Sequence, residues 1–362
     1  MPKSKEPTLV FLDAMRGFAA LMVFLGHARF FLMPFSLIDA LSGGTIITIV
    51  FAAIMQLFVF GHQAVILFVF LSGFWVAFSQ MHRQLNKKDF VKRRITKVYL
   101  PYAFALVFSL IIDLIGAYFF PELYAKLMMG IYAFFSTLFL YGALYTGFGS
   151  NIPLITVALI IFCYLLFVIF EKHLKLGVLV GIIGTIAYLV SFEPILTVLV
   201  YWNIWLMGAI ISKIYFGKKA FVLKNLKHQL VARFFDIITG LFVLWVLYKN
   251  YVFAMWYADI IEDLILGLCM SYLTYRLLTT RNIITLPKSF NKLSDYSYSL
   301  YLIHYPIIVI FYAFFGKDLV AFIPVLILVA IFTYLFNYAI VFSNKVFFML
   351  QKNNIPETSS KK

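Results

Sequence analysis

Four ionisable side chains interrupt a run of residues otherwise suited to the interior of a membrane. In LVFLDAMRGFAALMVFLGHARFFL, residues 9–32, these are Asp13, Arg16, His27 and Arg29. Charged or titratable groups inside an apolar span are costly, so each needs a partner or a task. Asp13 and Arg16 are three residues apart and can pair on one face of a helix. Such a pair could be an interfacial salt bridge at the inward mouth, with Arg16 snorkelling toward water. His27 stands eleven residues beyond Arg16, about 16 Å along a helix and close to three full turns. That puts it on the face of Arg16 but in the outward half of a hydrocarbon core about 30 Å thick. A histidine there can bridge two helices, or it can act as a neutral general base.

Three further stretches carry chemistry. VILFVFLSGFWVA places Ser72 and Gly73 inside an apolar run, where small residues also let helices approach closely. KRRITKVYLPY follows, with Lys92, Arg93, Arg94 and Lys97 at a helix entrance before Pro101. This cluster reads either as ordinary cytoplasmic positive charge or as a phosphate site, where guanidinium groups form multidentate bonds. Late in the chain, LSDYSYSLYLIHYPIIV sets Asp295, Tyr298, Ser299, Tyr301 and His304 at the start of an apolar run. Tyr301 and His304 are three apart and can meet, and Pro306 should bend the helix just beyond them. No metal-ligand spacing, phosphate-binding glycine loop, dinucleotide fingerprint or nucleophile elbow is present, so no metal is expected.

The elements that position these residues must be membrane helices. Of 362 residues, 64% are hydrophobic and 12% charged, and the mean hydropathy is +0.96. A soluble protein has too little interior for that much apolar surface. The surplus of 30 Lys+Arg over 15 Asp+Glu, a net +15, needs only the positive-inside bias of cytoplasmic loops, so nucleic acid is not an expected partner. Cys163 and Cys269 lie in apolar runs and read as buried thiols. Lys3 and Lys5 precede an apolar run too long for a cleavable signal, which makes it a first spanning helix with its amino end inside.

Apolar windows fall at 9–32, 46–60, 64–80, 99–120, 127–143, 152–170, 176–191, 196–213, 234–250, 257–275, 297–315 and 319–342. Basic stretches at 82–98, 213–233 and 276–292, and the Lys361–Lys362 tail, belong on the cytoplasmic side. Even crossing numbers between them leave 46–60 as an interfacial or re-entrant segment and 127–143 as a half-inserted one. The expectation is an all-α, polytopic transmembrane bundle of ten spans with both termini cytoplasmic, in a plasma or inner membrane. One transmembrane domain covers 1–350 and a short polar tail 351–362. Tyr248, Tyr251, Trp256 and Tyr257 form an expected interfacial aromatic anchor.

In their order along the chain these motifs resemble the acyltransferase-3 family, integral membrane enzymes that O-acylate extracytoplasmic glycans. FLDAMRGFAALMVFLGHA resembles the family's opening signature with its Arg-x10-His element, here Arg16 to His27. VILFVFLSGFWVA is similar to its second conserved segment, RRITKVYLPY to its arginine-rich helix entrance, NIWLMGAI to a later small-residue segment, and YSLYLIHYPI to its "YSLYLxHxP" motif. The resemblance implies that His27 is the base and Arg16 essential; the i,i+3 spacing lets Asp13 hold the arginine. The resemblance also implies that Arg94 and Lys97 engage an acyl-CoA donor, with Arg93 adjacent in the same cluster. Lys97 stands where arginine is usual and lacks its bidentate fork.

One departure is clear. The family's "PLWSLSVEVLFYLL" segment corresponds here to PLITVALIIFCYLLF, so that Ile155 replaces the tryptophan and Ile160 the glutamate, while Thr156 and Tyr164 remain. The expected reaction is acyl transfer, with acetyl-CoA as donor, to a hydroxyl of an extracytoplasmic or lipid-linked glycan. Acyl-CoA acts as a co-substrate, and no cofactor is permanently bound. Ser72, Tyr301 and His304 are the candidate substrate-side groups, and membrane lipids the expected surroundings; a homo-oligomer is left open. The alternative is a transporter or translocator of a glycan or lipid-linked intermediate, in which the same charges line a path without chemistry. A catalytically silent membrane scaffold is a third reading.

Overall fold

Inside lipid, a chain this apolar must satisfy its backbone within itself, and long uninterrupted windows do so as helices. The computed structural model describes residues 7–33, 37–127, 130–145, 147–217, 226–253, 259–279 and 288–353. Fifteen α-helices occur among them. In chain order they are α1 Pro7–Leu32, α2 Leu37–Gly43, α3 Ile46–Gln56, α4 Gly61–Arg83, α5 Lys87–Arg94, α6 Leu100–Phe119, α7 Pro121–Tyr124 and α8 Ile131–Leu138. These are followed by α9 Leu154–Phe170, α10 Leu174–Ser191, α11 Thr197–Phe216, α12 Leu226–Phe253, α13 Ile260–Thr279, α14 Lys288–Phe315 and α15 Phe322–Asn353.

Seven helical stretches among the described residues are long and apolar enough to cross a membrane: Pro7–Leu32, Ile46–Arg83, Lys87–Phe119, Leu174–Ser191, Pro194–Phe216, Lys292–Phe315 and Phe322–Ser343. The protein is a multi-pass, all-α membrane bundle. α9 is a shorter apolar helix of 17 residues, about 25 Å long and at the lower limit for a span.

The windows predicted not to cross take different forms. Residues 46–60 do not make a separate segment. α3 runs through a 3-10 turn, Leu57–Phe60, directly into α4, because Gly61 keeps helical angles (φ −56, ψ −41) and no proline interrupts the run. Among its described residues, window 127–143 forms the eight-residue α8, about 12 Å of helix and too short to span, and the start of a 3-10 turn, Gly142–Leu144. Trp256, Tyr257, Lys218, Lys219, Lys224, Arg281, Lys3, Lys5, Lys361 and Lys362 lie outside the described residues.

Two close approaches set the frame. α1 packs along α14, and α4 along α11. A Cβ at Gly17 would lie 2.7 Å from the Leu293 carbonyl carbon, and one at Gly73 only 1.8 Å from the Trp205 carbonyl oxygen. Small residues on facing helices permit this backbone contact. Cys163 and Cys269 are buried free thiols on α9 and α13.

Candidate active site

α1 and α14 bring two histidines together. His27 Nδ1 and His304 Nε2 are 3.0 Å apart, with ring centroids at 5.2 Å and planes 18° apart. The other nitrogen of His304, Nδ1, faces the Leu300 carbonyl oxygen at 2.9 Å. A carbonyl only accepts, so Nδ1 of His304 carries the hydrogen and its Nε2 is an acceptor. His27 Nδ1–H must then donate across the pair, which puts the basic lone pair of neutral His27 on Nε2. The Tyr305 ring stands edge-on to His27 at 4.7 Å and Phe24 edge-on to His304 at 5.9 Å. Tyr301, 2% exposed, meets His304 edge-on at 5.9 Å and stacks on Phe68 at 5.5 Å.

Three turns toward the amino end of α1, the Arg16 guanidinium donates to Asp13 Oδ1 at 2.6 Å. Asp13 Oδ2 accepts from the Ser294 hydroxyl at 3.2 Å, tying the pair to α14. Arg16 also lies over the Trp75 ring at 5.8 Å. With side-chain exposures of 33% and 18%, this pair orients Arg16 more than it stabilises the fold.

The basic helix entrance turns one of its cations inward. α5 passes through a π-helical turn, Ile95–Tyr99, into α6; such turns re-aim side chains and recur at functional sites. Arg94, at the end of α5, lies 5.0 Å from the Phe90 ring centre and 5.2 Å from that of Tyr164 on α9. The Tyr164 hydroxyl is 3.0 Å from Ser72 Oγ, and the Trp205 indole N–H donates to the same oxygen at 3.3 Å. The predicted donor-side and substrate-side residues Arg94 and Ser72 are therefore joined through one tyrosine. Arg93 is half-buried and Lys97 exposed, so they present charge outside this aromatic clamp.

Ile160, which the resemblance sets against the family's glutamate, is 4% exposed within the apolar core, and Ile155 packs against that core. The buried carboxylates among the described residues are elsewhere: Asp113, Glu262 and Asp263. His62 on α4 meets Asp263 at 2.7 Å, and Lys249 donates to Glu262 at 2.5 Å. Sequence reading missed both pairs. The Glu262 and Asp263 carboxylates, inside the predicted window 257–275, were the available signal. An apolar cavity of about 560 Å³, lined by Phe162, Leu165, Leu166, Ile195 and Leu199 among others, lies on the face of α9 opposite Tyr164 and offers nothing for phosphate groups.

No curated protein and no solved structure matches the chain. A family model described as an acyltransferase domain does match, over residues 9–342, which include both clusters and the helices that carry them. The chain belongs to the acyltransferase-3 family of integral-membrane acyltransferases.

Proposed function

We propose that the protein transfers an acyl group, acetyl in the simplest case, from acyl-CoA to a hydroxyl of an extracytoplasmic or lipid-linked glycan. The observation that carries this reading is the His27–His304 contact at 3.0 Å. A sugar hydroxyl attacks a thioester slowly unless its proton is removed as the new bond forms. His27 takes that proton on Nε2, the hydroxyl oxygen bonds to the thioester carbonyl carbon, and the carbon–sulfur bond breaks. The coenzyme A sulfur leaves with the electron pair, and the proton held by His27 returns to it or to water.

Arg94, Arg93 and Lys97 hold the phosphates of the donor on the cytoplasmic side. Arg16, braced by Asp13, orients the donor within the span. Tyr301 and Ser72 are the hydroxyls available to the developing oxyanion. With Ile160 in place of a carboxylate, the imidazole pair carries the proton transfer without help from α9. Ten crossings, both ends cytoplasmic and a plasma-membrane location complete the reading, with the ten helices α1, α4, α6, α9–α15 as the spans.

The test uses purified full-length protein with radiolabelled acetyl-CoA and a lipid-linked oligosaccharide. Labelled ester on the glycan with release of free thiol supports the proposal. Movement of the glycan across a vesicle membrane without thiol release would favour translocation instead.

A further inference from the structure

Pro306 leaves one carbonyl of α14 without its helical partner, and the protein answers from a loop 151 residues away. Proline has no N–H, so the Leu302 oxygen loses the bond it would accept from residue 306. An unsatisfied carbonyl in an apolar interior is costly. Asn151 Nδ2 donates to Leu302 O at 2.8 Å and to Ser109 Oγ on α6 at 2.8 Å. Ser109 spends its own hydrogen on the Ala105 carbonyl at 2.8 Å. Both partners of the amide therefore act as acceptors, which fixes the orientation of the Asn151 side chain.

The loop is itself clamped. Asp113 on α6 accepts from the Ser150 amide at 2.9 Å and from the Ser150 hydroxyl at 2.6 Å. Gly147 (φ +71) and Gly149 (φ +54) adopt left-handed angles that let the chain turn this tightly. Asp113, Ser109 and Asn151 are all 0% exposed, so these bonds lie out of reach of bulk water. Leu302 and His304 share one turn of α14, and His304 Nε2 reaches His27 in the same turn.

We propose that Asn151 is a positioning residue for the histidine pair: its amide replaces the backbone bond missing at Pro306 and keeps His304 at hydrogen-bonding distance from His27. The consequence for rate rests on the reading of His27 as the base; the consequence for geometry does not. Asn151 touches no reacting atom. It acts through the Leu302 carbonyl and the turn of α14 that carries His304, and through them on which nitrogen of His27 holds the proton.

The experiment follows the imidazoles directly. In full-length protein labelled with ¹⁵N-histidine, ring resonances assigned by comparison with His27→Gln report the His27 tautomer, and labelled acetyl-CoA reports turnover. Asn151→Leu keeps the volume and removes the donors. It should mix the His27 tautomers and lower kcat by about 10²-fold, the scale of a misplacement near 1 Å, with donor KM unchanged. Ser109→Ala frees one side of the amide and should move the same resonances less, in a variant that folds even if Asn151→Leu does not. An altered tautomer with unaltered turnover supports the strut and counts against His27 as base. Folded Asn151→Leu or Ser109→Ala protein with wild-type His27 resonances overturns the inference.

Discussion

His27 and His304 are 277 residues apart in the chain and meet nitrogen to nitrogen at 3.0 Å. Only one hydrogen fits between the two facing nitrogens, and the Leu300 carbonyl decides that His27 supplies it. One imidazole thus sets the tautomer of the other, much as a carboxylate orients histidine in a hydrolase triad. The pairing is made possible by the backbone contact of α1 and α14 at Gly17, ten residues before His27.

Replacing His27 separates chemistry from packing. His27→Ala and His27→Gln should both lower acyl transfer per folded molecule by about 10²–10⁴-fold, the usual contribution of a general base. Membrane abundance and acetyl-CoA binding should stay close to wild type. Glutamine retains a hydrogen bond to His304 yet cannot take up a proton at neutral pH. Near-normal turnover in His27→Gln would end the base assignment.

His304 is expected to act one step removed. His304→Gln should reduce turnover less than His27→Ala does, by about 10²-fold through misorientation of His27. Its donor affinity should be unchanged. Turnover measured on equal amounts of folded protein checks this, and equal losses in the two variants would make His304 a direct participant.

Arg94 should matter through its rings as well as its charge. A cation over aromatic faces contributes about 0.5–2 kcal/mol, or roughly 2- to 30-fold in affinity. Arg94→Lys keeps the charge and loses the planar stack on Phe90 and Tyr164. It should weaken acyl-CoA binding within that range, and Arg94→Ala should weaken it further. Lys175→Ala, an exposed cation at the start of α10, is the control. Equal loss of affinity in the alanine variants of Arg94 and Lys175 leaves only a general charge effect.

Much of this arrangement was legible in the sequence because membrane helices announce themselves by length and apolarity. Asp13, Arg16, His27 and His304 stood out because ionisable groups are rare in such runs. The join between α3 and α4 was not legible, since the loop-charge argument counts crossings and says nothing of where a helix begins. Nor was the link from Arg94 to Ser72. It depends on Tyr164, an aromatic residue in a run full of them, and on Trp205, whose indole N–H points at Ser72 only once α4 and α11 are packed. Asn151 was the least visible, although Pro306 implied that some donor must reach Leu302.

Orientation can be read from the α4–α5 connection. Lys88 is exposed at the start of α5, within the stretch 82–98 that carries seven Lys+Arg and one Asp. By the positive-inside rule this connection is expected on the cytoplasmic side. A Lys88→Cys variant should resist a membrane-impermeant maleimide in intact cells and react once the cells are opened. Labelling of intact cells would reverse the orientation.

The last expectation concerns the seam between α4 and α11, where packing and the donor side are coupled. A methyl group at Gly73 would fall 1.8 Å from the Trp205 carbonyl oxygen, and one at Gly208 would fall 2.0 Å from that of Phe70. Both obstacles are backbone atoms of neighbouring helices, so no side chain can turn aside. The helices must separate instead, at a cost of about 1–3 kcal/mol for an overpacked core site. Separation at Gly73 also lengthens the Trp205–Ser72 hydrogen bond, now 3.3 Å, and loosens the Tyr164 hydroxyl that Ser72 engages. Gly73→Ala should therefore lower the melting temperature in detergent and weaken acyl-CoA binding together. The His27 ring resonances should stay in place, because the α1–α14 seam is formed by other residues. Gly240→Ala, where a Cβ meets nothing within 4 Å, should leave both quantities unchanged. A Gly73→Ala protein as stable as Gly240→Ala would show that the seam opens freely and that Ser72 and Tyr164 are not held by it.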